Sequence, residues 1–136
     1  MNANPEAQPR TQIELPDIPA LAVDARQAYI LSAEGELQTL SHAQAAALMH
    51  KKSVLVCHGP YVRSKLSGGA DAAAFYAFDA LELFAFVHPG AFCVPTIPGL
   101  CNTLGLCAPE STEDHPFSLL EIVRALLEDV RKEAMP

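Results

Sequence analysis

Positive charge is scarce in this chain. Only 9 of its 136 residues are Lys or Arg, against 16 Asp or Glu, and the formal net charge is −7 with His neutral. Unaided, non-specific nucleic-acid binding depends on clustered Lys and Arg, so this balance argues against it unless a small basic patch survives. Long apolar runs are missing too. The longest, around Leu81 to Val87, is too short to span a bilayer. No secretory signal is visible, and the expected location is cytoplasmic, away from membranes. The four cysteines, Cys57, Cys93, Cys101 and Cys107, include no C-x2-C pair; the last three are spaced C-x7-C and C-x5-C. Zinc sites are built on closer ligand pairs, so these read as buried thiols behaving as small hydrophobes. Disulfides are not expected in a cytoplasmic chain of this size. The residues give no ground to expect a metal or a cofactor. There is no internal repeat, low-complexity tract or second domain.

What is present is core-forming material. Half of the residues are hydrophobic, and a chain of this length can bury roughly two-thirds of its unfolded surface. The opening MNANPEAQPRTQ is polar with two prolines, so residues 1–16 are expected to be a disordered lead-in and 17–136 a single domain. Ala20 to Asp24, Gln27 to Ser32 and Glu36 to Leu40 read as three short strands. The close turns between them suggest an antiparallel meander. Ser41 and Gln44 fit a capping box opening an alanine-rich helix to about His50. Val54 to Cys57 is apolar throughout, as a strand covered on both faces should be. Pro60 suits the first turn of a helix ending near Leu66, and Ser67-Gly68-Gly69 is a flexible break. Phe75 to Phe78 is a further short strand. Asp79 caps a helix to Val87, with Glu82 three residues on. Pro98 to Leu104 is a short helix stopped by Gly105. The last helix opens on a second capping box, Ser118 with Glu121, and repeats Leu119, Ile122, Val123, Leu126, Leu127 and Val130 at helical spacing. Glu128 and Lys132 form an i,i+4 pair on its wet side. The class is α/β, a mixed sheet flanked by helices with a C-terminal amphipathic helix.

Three antiparallel strands followed by helix–strand–helix resemble the ribonuclease-H-like plan of DnaQ-type 3′–5′ exonucleases. The words carrying that resemblance are Ala22-Val23-Asp24, Val54 to His58 with Tyr61-Val62-Arg63 beyond, Phe78-Asp79-Ala80-Leu81-Glu82-Leu83, and Leu100 through Leu104-Gly105-Leu106. Together they run through most of residues 20–106. Such exonucleases hold two divalent metals with carboxylates. Here Arg26 stands where the first word needs Glu, and Arg63 stands near the place of a later Asp. The final His-or-Tyr…Asp word is replaced by Phe92-Cys93-Val94-Pro95. The resemblance therefore implies a degenerate domain, with Asp24, His58 and Asp79 as a vestigial site and no catalytic residue. The stretch from Asp79 to Thr96 also resembles the amino-terminal region of bacterial DinG-type ATP-dependent DNA helicases, as do Val56-Cys57-His58 and Pro98-Gly99-Leu100. No G-x-x-x-x-G-K-[ST] phosphate loop is present. The resemblance then implies an accessory domain of a larger helicase that acts in DNA repair or replication. Its partner would be the motor of the same polypeptide, with DNA reached through the parent protein.

Each conspicuous residue also has an ordinary reading. His58 is either a base or DNA contact, or a strand-end His bonded to backbone carbonyl. Asp79 is either a surviving ligand or a helix N-cap. Arg63 and Lys65 either touch phosphate or lie on a solvated helix face. Phe84, Phe86 and Phe92 belong to a segment apolar nearly all round, which one helix cannot bury alone. They are expected to form an interaction surface for the motor, for a partner or, in isolation, for a second copy. An active metal-dependent exonuclease and a stand-alone interaction module remain as alternatives.

Overall fold

The computed structural model describes residues 18–67 and 77–134. The expected lead-in, the Gly68-Gly69 break, Phe75 and Tyr76 lie outside them. Strands β1 (Ala20–Val23), β2 (Ala28–Leu31) and β3 (Leu37–Leu40) form the antiparallel meander, with Ala20 opposite Leu31 and Ala28 opposite Leu40. Helix α1 (His42–Lys51) opens on the Ser41–Gln44 capping box. Strand β4 (Val54–Val56), fully buried, then lies parallel to β1, and β5 (Ala77–Asp79) lies parallel to β4. Helix α2 (Gly59–Ser67) connects these two strands. The sheet order is β3-β2-β1-β4-β5. Helices α3 (Ala80–Val87), α4 (Ile97–Leu104) and α5 (His115–Ala134) complete the chain.

Alternation along the strands sorts the core into two halves. In β1, Ala20 and Ala22 point to one face, where they meet Phe84, Leu100, Leu119 and Ile122 of α3, α4 and α5. Leu21 and Val23 point to the other, with Met49 of α1 and Val62 and Leu66 of α2. The small residues lie on the side that takes the longest helix, so α5 packs directly across β1 and β2. Leu119, Ile122 and Leu126 are completely enclosed there; burial of each such side chain contributes about 1.5–3 kcal/mol.

The last helix starts earlier than its sequence suggests. A 3-10 turn (Thr112–Asp114) runs straight into α5 at His115, and Ser118 is buried inside the helix rather than capping it. Pro116, its second residue, is a helix-start signal that outweighs the Ser–Glu pair, because proline lacks an N–H and forfeits nothing in a first turn. Burial pushes the Cys101 thiol pKa up, and Ser118 exerts a smaller downward pull on it. On the wet side Glu128 pairs with Arg131, one turn away, rather than with Lys132. In α4, a Cβ on Gly99 would stand 2.2 Å from the Val94 carbonyl oxygen. Only glycine lets the preceding loop fold back against this helix. Gly105, at φ +77, ends it. Among the described residues no helix is long and apolar enough to cross a membrane.

Candidate functional site

Because β1, β4 and β5 run parallel, their carboxyl ends share one edge of the sheet. Asp24 follows β1, His58 follows β4, and Asp79 is the last residue of β5. The fold thus brings the three suspected site residues to one edge. The register keeps the carboxylates apart. Ala20 aligns with Leu55, and Val56 with Asp79, so Asp79 is level with Leu21, three residues short of Asp24. At strand rise and spacing this is about 10 Å along the strands and about 9.6 Å across them. Two-metal sites hold their ions only about 3.5–4 Å apart, within a shared set of carboxylates.

Each carboxylate is also spent on backbone N–H groups. Asp24 Oδ1 accepts from the N–H of Arg26 (2.9 Å) and Gln27 (2.8 Å), and Oδ2 accepts from the Tyr29 hydroxyl (3.2 Å). This closes the β1–β2 hairpin as an Asx turn. The Gln27 N–H bond, with smaller help from Arg26, Tyr29 and His42, holds the carboxyl below its ordinary range despite partial burial. The His42 ring lies 2.9 Å from the Asp24 carbonyl oxygen, which can only accept, so Nε2 donates. Asp79 reaches further. Oδ1 accepts from the N–H of Leu81 (2.9 Å), capping α3, and from His58 (2.8 Å); Oδ2 accepts from Gly59 (2.6 Å). One side chain therefore closes the starts of both α2 and α3. The N-cap role expected of Asp79 holds.

His58 differs from the expected carbonyl-bonded strand-end residue. It sits in the left-handed region at φ 65, and its Nδ1 accepts the N–H of Tyr61 at 3.2 Å. An acceptor Nδ1 leaves the neutral ring its proton on Nε2. Arg63 is half-buried: its guanidinium and the Asp79 carboxylate converge on the bare Cα of Gly59, where a Cβ would meet Asp79 Oδ2 at 3.2 Å and Arg63 Nη1 at 3.4 Å. The Lys65 ammonium lies 5.6 Å from the centre of the Tyr61 ring.

The suspected aromatic surface divides. Phe84 is core, packed under α5 and against His88, which corrects its assignment to an interaction face. Phe86 and Phe92 are 76% and 86% exposed, with Val94 beside Phe92 in sequence also exposed. Cys57 and Cys101 are buried as hydrophobes, and burial, aided by Asp79, pushes the Cys57 thiol up to about 12. No group of three His, Cys, Asp or Glu among the described residues could hold a metal ion.

A cavity of about 200 Å³ opens beside β1 and β4, and sequence reasoning missed it. Its polar lining comes from His58, Tyr61, His115 and Thr96, whose hydroxyl oxygen accepts the Gly99 N–H. His115 arrives from α5, more than fifty residues away in the chain, so no local pattern announces it. Burial lowers the His115 pKa from its ordinary 6.5, against a smaller opposing pull from Asp114 and Asp24. No protein-family model, curated protein or solved structure matches the chain.

Proposed function

We propose that this chain is a non-catalytic accessory domain of an ATP-dependent DNA helicase, docking on the motor. The observation that carries its non-catalytic character is the fate of Asp24 and Asp79. Both lie where a ribonuclease-H-like exonuclease would gather metal ligands. Both are turned onto backbone N–H groups, about 14 Å apart at their Cα atoms by the register above. The Asp79 carboxylate already accepts three N–H bonds, and a metal that drew it away would expose the amides it satisfies. The ribonuclease-H-like reading is supported by the meander followed by helix–strand–helix–strand, with β4 inserted beside β1. The helicase reading rests on the sequence words from Asp79 to Thr96.

The docking face is Phe86 and Phe92, aromatic side chains that this domain leaves in water. The test is a pull-down and sedimentation assay against a separately produced helicase motor, run beside a nuclease assay on end-labelled single-stranded DNA with Mg²⁺ or Mn²⁺. Binding to the motor should fall at least about tenfold in a Phe86→Ser/Phe92→Ser double variant, as loss of two interface aromatics implies. The DNA should stay intact. Cleavage abolished by Asp24→Asn would establish the exonuclease reading instead. Self-association lowered by the double variant, without any motor binding, would establish a stand-alone interaction module.

A further inference from the structure

We infer that the cavity beside β1 and β4 takes one flat, uncharged nitrogen heterocycle of nucleobase size. The reading above bears on this only through the source of the base, a single strand held by the parent protein.

Size sets the first limit. An apolar cavity of about 150 Å³ holds a benzene ring. At about 200 Å³ this one has room for a ring system with its ring nitrogens and exocyclic atoms, but not for the attached sugar and phosphate. Charge sets the second. Among the described residues no Asp, Glu, Lys or Arg lines the cavity. The start of α2 borders it, yet that helix has no amide left for an anion. The His58 and Gly59 N–H groups are held by Asp79, the Tyr61 N–H by His58 Nδ1 and the Val62 N–H by the His58 carbonyl; Pro60 has none. A phosphate would find no Lys or Arg among the described lining residues and no free N–H at the start of α2.

What remains suits a neutral ring. Val23, Ile97 and Pro98 give apolar walls. His58 has Nδ1 committed to Tyr61, which leaves Nε2–H as its donor. Among the described residues the His115 ring nitrogens make no hydrogen bond, and burial keeps that ring uncharged at neutral pH, so it offers one donor and one acceptor. Tyr61 supplies an aromatic surface. Donors and an acceptor around an apolar slot match the edge of a base, and the tyrosine matches its face.

Heteronuclear NMR on the whole chain tests this, with adenosine, thymidine, inorganic phosphate, a short oligothymidylate, and that oligomer with abasic positions. Nucleosides should shift resonances of His58, Tyr61 and His115 with millimolar-range saturation, and phosphate should shift none. His58→Asn keeps an acceptor for the Tyr61 N–H and tolerates the left-handed backbone. It should fold normally and weaken binding about 3–10-fold, the loss of one hydrogen bond. Tyr61→Ala should weaken it at least about fivefold, the loss of one stacking partner. Tighter binding of the intact than of the abasic oligomer assigns the base to a strand; binding of nucleosides alone assigns it to a free molecule. The inference is overturned by unmoved cavity resonances at saturating nucleoside or by phosphate acting as well as nucleosides. Motor docking with an unresponsive cavity would overturn this inference and leave the accessory-domain reading standing.

Discussion

Asp24 and Asp79 are the same residue type at the carboxyl ends of two parallel strands, yet they hold the molecule together on different scales. All of the Asp24 side chain's hydrogen bonds fall within five residues of it, at the mouth of one hairpin. Asp79 bonds His58 and Gly59, 21 and 20 residues back, as well as Leu81. Asp24 organises a single turn. Asp79 fixes the position of α2 against α3, two helices that no other polar contact joins among the described residues. An acidic residue after a strand can therefore be a local punctuation mark or a tertiary joint, and its immediate neighbours in sequence do not say which.

The largest effect should come from Asp79→Ala. It strands the N–H groups of His58 and the buried Gly59 and removes the cap of α3, a loss of about 3–5 kcal/mol. Urea denaturation followed by circular dichroism measures it. Asp79→Asn should recover part of the loss, since an amide keeps one accepting oxygen. Asp24→Ala should cost only about 1–2 kcal/mol, because the exposed Arg26 N–H and its neighbour can turn to water. Equal costs for the two alanine variants would break the comparison. Acid sharpens it. The depressed Asp24 pKa means that its contribution is complete above the unfolded value of 3.8 and is lost as pH falls through the folded one. Asp24→Ala should therefore flatten the acid limb of the stability curve below about pH 4.

What the sequence made legible follows the same division between local and distant causes. The Ser41–Gln44 capping box, the all-buried Val54–Val56 strand, Asp79 as a cap and Gly105 as a helix stop each depend on residues within one turn of one another. They were readable for that reason. The start of α5 was also local, but two signals competed there, and Pro116 prevailed over Ser118. The Asp79 joint, the left-handed His58 and the cavity were not readable, because each needs segments that only the completed sheet places side by side. Phe84 and Phe86 show the intermediate case. Their pattern announced one surplus aromatic face, but which ring turned inward depended on where α5 came to lie.

The smallest effect belongs to His115, and its sign is opposite to that of an ordinary ion-paired histidine. Burial is the larger influence on its ring, and the folded pKa lies below 6.5. Between the folded and unfolded values the unfolded chain binds more protons, so stability rises with pH there. The contribution is complete above about pH 7.5, where neither state is protonated, and is progressively lost as pH falls through 6.5 toward the folded value. The difference between variants is the informative quantity. His115→Gln should lose less stability than the parent between about pH 7.5 and about pH 5.5. Identical slopes for the parent and His115→Gln would mean that the ring is already solvated in the folded state. The cavity beside β1 would then be wet, and the neutral-ring reading would lose the uncharged histidine on which it depends.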